Sequence, residues 1–153
     1  MKSQTFDQIE VLGLSLIEKL STANQIISPS DFGFHNALRL NNDQLKFVDF
    51  EYAGWDDPAK LVGDFFNQVE VPVDRSYLSI FTESIAKMID NSAQFHASVK
   101  LLLPLYRIKW TCIVLNYFVP RNQHEKNFVT SITSEKRYEQ LQKAKKIVDT
   151  LIY

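Results

Sequence analysis

The chain has 153 residues, 45% of them hydrophobic and 23% charged, and its 17 basic and 18 acidic side chains leave a net charge of −1. That length supports a single domain over residues 1–153 with a real core, and the balanced charge excludes nucleic-acid binding driven by electrostatics alone. A lone cysteine, Cys112, excludes an internal disulfide and a cysteine-rich zinc site.

The first predicted element is a helix over residues 5–23, where Phe6, Ile9, Leu12, Leu16, Ile17 and Leu20 recur at helical spacing. The opening MKSQTFDQIE is acidic where a signal peptide needs an apolar run. A short strand at Ile26 and Ile27 leads into SPSDFGFHN, whose Pro, Ser, Asp, Gly and Asn residues predict a loop. Residues 37–40 and 45–50 are apolar runs separated by Asn41, Asn42 and Asp43, the pattern of a β-hairpin. Antiparallel pairing brings the outer ends of such a hairpin together, so Asn36 and Asp49 are expected to be neighbours.

From Asp57 onward the pattern is helical. Asp56 or Asp57 caps a helix that has Pro58 at its first position and runs to about Gln68. Tyr77, Leu78, Phe81, Ile85, Met88 and Ile89 mark a second helix. Phe95, Val99, Leu102, Leu103, Tyr106, Trp110, Val114 and Tyr117 mark a long third one, which Pro104 kinks or splits. Its apolar stretch carries Arg107 and Lys109, so a buried helix is expected there and no membrane span. A final helix begins near Ser134 and turns lysine-rich toward its C-terminal half. The fold class is α+β, mainly α, with a small β-hairpin that carries two polar loops.

Those loops hold the candidate chemistry. Asp31 and Asn36 stand in a D-x-x-x-x-N spacing, and Asp49 and Glu51 follow within FVDFEYAGWDDP. Phosphoryl transfer needs a carboxylate for the attacking hydroxyl, and an amide oxygen with a second carboxylate for Mg²⁺ on the nucleotide phosphates. Asp31, Asn36 and Asp49 supply that set in that order.

On these residues the chain resembles the C-terminal lobe of the aminoglycoside phosphotransferase and choline kinase family, which has a protein-kinase-like fold. The catalytic loop H-G-D-x-x-x-x-N of that family is matched by Pro29, Ser30, Asp31 and Asn36, followed by Ala37 and Leu38. Its I-D-F-E-Y-A-G stretch is matched by Val48, Asp49, Phe50, Glu51, Tyr52, Ala53 and Gly54, ahead of Trp55, Asp56, Asp57 and Pro58. The resemblance covers residues 26–66. It implies Asp31 as the catalytic base or hydroxyl-orienting group, Asn36 and Asp49 as the Mg²⁺–ATP ligands, and Glu51 near a second metal or the substrate. It implies ATP as donor, a small hydroxyl compound as acceptor, and the helices after Pro58 as the wall of the acceptor pocket. The acidic residues Asp31, Glu51, Asp56 and Asp57 favour a cationic acceptor. A cytoplasmic setting fits the cysteine usage.

The departures are as informative. The chain has glycines only at positions 13, 33, 54 and 63 and no G-x-G-x-x-G, and its motif begins within 31 residues of Met1. An N-terminal nucleotide lobe is therefore expected to be missing, supplied by a partner chain, or dispensed with. The His of the motif is Pro29, and the Asp expected three residues after the Asp57–Pro58 pair is Leu61. Proline has no N–H to offer, and a buried carboxylate without donors is costly, so the two changes compensate each other. Gly33 and His35 replace the usual H-P-G between the Asp and the Asn. The alternative reading is a catalytically inactive kinase-like module that binds a partner or ligand.

The remaining polar and aromatic residues read more plainly. Asp56 and Asp57 are helix caps before they are catalytic groups, and His35 is a solvent-facing loop histidine. His96 and His124 are surface residues. Trp55 lines a pocket or packs under its loop. Trp110, Tyr106 and Tyr117 form a core stripe, and Cys112 is a core residue.

Overall fold

The computed structural model describes residues 19–119 and 134–149. The expected helix over 5–23 lies mostly outside those residues, and its end forms a 3-10 turn at Thr22–Asn24. His124 also lies outside them. The chain divides into two compact units between Tyr106 and Arg107.

Among the described residues, the first unit holds four short strands and three α-helices, the third helix continuing beyond it. Strand β1 (Ile26–Ser28) pairs antiparallel with β4 (Gly54–Asp56), in the register Ile26–Asp56, Ile27–Trp55 and Ser28–Gly54. Strand β2 (Ala37–Arg39) pairs antiparallel with β3 (Leu45–Phe47), in the register Ala37–Phe47, Leu38–Lys46 and Arg39–Leu45. The β2–β3 hairpin is the expected one. Its turn places Asp43 at φ 61°, where an Asp is tolerated, and Arg39 holds the Asp43 carboxylate from Nε at 3.0 Å and Nη2 at 2.6 Å.

Helix α1 (Pro58–Asn67) starts as the sequence predicts. The Asp57 carboxylate accepts from the Ala59 N–H at 2.8 Å, and Pro58 takes the first helical position, where its missing N–H costs nothing. The helix is buried along most of its length. Ala59, Val62, Phe65 and Phe66 from α1 join Ile85 of α2 (Leu78–Ala86), Ile89, and Phe95 and Val99 of α3 (Ser92–Leu115) in one core. Helix α3 is continuous through Pro104. Gly63 allows its approach to α1, because a Cβ there would stand 2.4 Å from the Tyr106 ring.

In the second unit Arg107, Trp110, Thr111 and Val114 of α3 are buried, as is Ala144 of α4 (Ser134–Asp149). Tyr106 is half-buried and Tyr117 is exposed, so the expected aromatic stripe is core only at Trp110. Cys112 is exposed rather than in the core, because it falls on the helix face opposite the Trp110 and Val114 positions. Among the described residues, no helix is long and apolar enough to cross a membrane.

Candidate functional site

Two loops face each other because two strand pairs hold them at both ends. The first loop leaves β1 and enters β2, and the second leaves β3 and enters β4. β1 pairs with β4 and β2 with β3, so each loop starts and finishes beside the other. The β2–β3 ladder continues one step further, with the Val48 N–H donating to the Asn36 carbonyl at 2.9 Å. Asn36 and Asp49 are neighbours on this account, as the hairpin predicted.

The first loop is tied down residue by residue. Ser28 is buried, and its hydroxyl accepts from the Ser30 N–H at 3.1 Å. Ser30 sits at φ 70°, a left-handed backbone costing a non-glycine residue about 1 kcal/mol or more. Lys60 on α1 reaches the Ser30 carbonyl and hydroxyl, each at 3.5 Å. Phe32 anchors the middle of the loop, stacking on Phe65 at 5.1 Å and lying 4.8 Å from the Phe47 ring. Asn36 donates its side-chain N–H to the Asp31 carbonyl at 3.0 Å.

His35 departs from the expected solvent-facing position. Its ring is largely buried, Nε2 lies 3.3 Å from Asp31 Oδ1, and Nδ1 is buried with no hydrogen-bond partner. Gly33 makes room for it, since a Cβ at that position would stand 2.5 Å from the ring nitrogen Nδ1. A glycine two residues before a histidine was the signal for this packing. The Asp31 carboxylate is about half exposed and keeps access to solvent.

The second loop presents its carboxylates outward. Asp49 has φ 64°, which breaks the strand alternation at that residue, and a turn follows in which the Ala53 N–H donates to the Phe50 carbonyl at 3.0 Å. Asp49 and Glu51 are both exposed, and among the described residues neither carboxylate has a hydrogen bond or ion pair. Asn36 Oδ1 and Asp49 are hard oxygens of the kind Mg²⁺ accepts, one or two at a time, beside phosphate oxygens. Among the described residues, no group of three or more His, Cys, Asp or Glu is placed to hold a metal ion by itself.

A second acidic set lies behind the loops. Lys60 forms a close ion pair with Asp56 and lies 3.6 Å from Asp64, which is 1% exposed. Burial raises the Asp57 carboxyl above the usual carboxylate range, the Ala59 N–H pulls it back, and the Asp56 charge pushes it up again. Burial also holds the Tyr106 hydroxyl far above its ordinary value, helped by the charges of Asp64, Asp57 and Asp56. Of the four carboxylates expected to draw a cation, Asp56 is thus paired and Asp57 is a cap. Leu61 packs against the core, and the contact from α1 to the loop comes from its neighbour Lys60. Trp55 is 66% exposed, paired across the strands with Ile27 rather than packed under the loop. His96 is half-buried beside Glu83 at 3.5 Å.

The chain matches no protein-family model. No curated protein and no solved structure matches it either.

Proposed function

We propose that this chain is the catalytic lobe of a small-molecule kinase-like phosphotransferase of the aminoglycoside and choline kinase type. ATP with Mg²⁺ is the donor, and the acceptor is a small compound bearing a hydroxyl. The observation that carries the reading is the double clamp on the two loops, which sets Asn36 against Asp49 and leaves Asp31 half exposed beside them. Left-handed non-glycine residues cluster at functional sites, and Ser30, directly before Asp31, is one at φ 70°.

In this reading Asp31 accepts the acceptor's hydroxyl proton. The acceptor oxygen bonds to the γ-phosphorus, the bond to the β–γ bridging oxygen breaks, and ADP leaves with the electron pair. Asn36 and Asp49 hold Mg²⁺, and Glu51 approaches a second metal or the substrate. Bound Mg²⁺ supplies charge neutralisation on the phosphates. His35 and Lys60 position Asp31, one through its carboxylate and the other through the preceding residue. The protein's contribution is placement and electrostatics, with no covalent intermediate.

A second reading, a catalytically inactive kinase-like module, is favoured by one feature. Ile27 and Trp55 form a cross-strand pair open to solvent, and Leu38 and Leu45 are exposed on the other sheet. An apolar surface there suits a partner chain. Water-proton relaxation with Mn²⁺–ATP separates the two readings. The phosphotransferase reading expects saturable binding by the wild-type chain that Asp49→Asn abolishes. Equal binding by both proteins, or none by either, contradicts it.

A further inference from the structure

A pocket of about 560 Å³ opens beside the Asp31 loop, within the size range of small-molecule sites. The rings of Phe34, Phe65, Phe66 and Phe81 line it, with Val73 and Pro72 beyond them. Phe34 follows Asp31 by three residues, so the two Cα atoms are at most about 11 Å apart. The pocket wall and the candidate base therefore belong to one short loop. The phenyl groups are also fixed in place: Phe65 stacks on Phe81 at 4.7 Å and meets Phe34 edge-on at 5.4 Å.

Charge is nearly absent from this pocket. Among the described residues its one carboxylate is Asp74, whose Oδ1 accepts from the Ser76 N–H at 2.8 Å. A sugar placed here would set its many hydroxyls against phenyl rings, and each hydroxyl left without a partner costs about 1–3 kcal/mol. A flat apolar body would instead gain contact with four aromatic rings. We infer that the acceptor is an alcohol with an aromatic body, which occupies this pocket and presents its hydroxyl toward Asp31. The inference rests on the phosphotransferase reading and narrows its acceptor class away from sugars.

The test uses saturation-transfer NMR on the full chain without nucleotide, with 2-(2-naphthyl)ethanol and glucosamine as probes. Ile80 lines the pocket and is 66% exposed, and Tyr77, also lining it, is 61% exposed, so substitution at either leaves the core intact. The naphthyl alcohol is expected to bind saturably, at least tenfold more weakly to both Ile80→Glu and Tyr77→Ala, while glucosamine does not bind. Glucosamine binding in preference, or alcohol binding unchanged in both variants, overturns the inference. Mn²⁺–ATP binding at Asp49 together with no alcohol binding removes the inference alone. Alcohol binding together with no Mn²⁺–ATP binding removes the acceptor role along with the phosphotransferase reading.

Discussion

Lys60, on the first turn of α1, reaches across 30 residues of chain to the carbonyl and hydroxyl of Ser30, while its ammonium also faces Asp56 and the buried Asp64. One side chain thereby joins the loop bearing Asp31 to the central helix and compensates a buried carboxylate. The residue just before the candidate base is the one it holds, in a left-handed backbone that would relax without support.

Replacing Lys60 with Met removes the ammonium that lies 3.6 Å from the buried Asp64 carboxylate. The expected loss is about 2 kcal/mol of unfolding free energy, read from urea denaturation. Asp64→Asn in the same chain should recover part of that loss, because the buried charge is then gone. Equal stability of Lys60→Met and wild type contradicts the brace.

His35 orients Asp31 from 3.3 Å away. On the phosphotransferase reading, His35→Ala is expected to lower the rate of transfer to an acceptor about tenfold, the worth of one polar contact to a charged group. The affinity for Mn²⁺–ATP should stay the same, since Asn36 and Asp49 are untouched. His35→Gln, which keeps a donor, should restore part of the rate. A parallel fall in nucleotide affinity would assign His35 to the metal site instead.

Gly63 faces the Tyr106 ring so closely that a Cβ cannot enter without a shift. In a free helix, Gly→Ala gains about 1 kcal/mol. Here overpacking outweighs that gain, and Gly63→Ala is expected to lose about 1–2 kcal/mol net. A rise in the thermal midpoint would contradict the close approach of α3 to α1.

The carboxyl of Asp57 is raised above its ordinary value of 3.8, chiefly by burial. The folded state therefore binds this proton more tightly than the unfolded state. Stability from this group falls as pH rises from the unfolded value through the raised one. Asp57→Asn keeps a capping oxygen and removes the titration. Its stability relative to wild type should grow between pH 3 and pH 7, and Asp57→Ala should lose about 1 kcal/mol with the cap. A difference between Asn variant and wild type that does not grow with pH contradicts this sign.

Much of this arrangement was legible in the sequence. The β2–β3 hairpin followed from two short apolar runs and a polar turn, and α1 followed from Asp57 and Pro58. Strand β4 was not legible, because Gly54, Trp55 and Asp56 make a poor strand by propensity and gain their pairing only from β1. The second clamp on the loops was missed with it. Lys60 and Asp64 were passed over because their meaning depends on burial, which α1 acquires only by tertiary packing. The position of His35 was misjudged because a loop histidine is usually wet, and only the missing Cβ of Gly33 lets it fold inward. Cys112 was expected inside from the apolar helical run around it and Trp55 in a pocket or under its loop, and their helical face and strand pairing leave both exposed.

The central claim is that Asn36 and Asp49 together hold a metal–nucleotide at one end of the β2–β3 hairpin. The most direct test is paramagnetic broadening of backbone amide signals as Mn²⁺–ATP is added. The account predicts that the signals of Asn36, Val48 and Asp49 are lost first, while those of the Asn41–Asp43 turn at the far end persist. Broadening centred on the turn, or no selective broadening at saturating nucleotide, would contradict it.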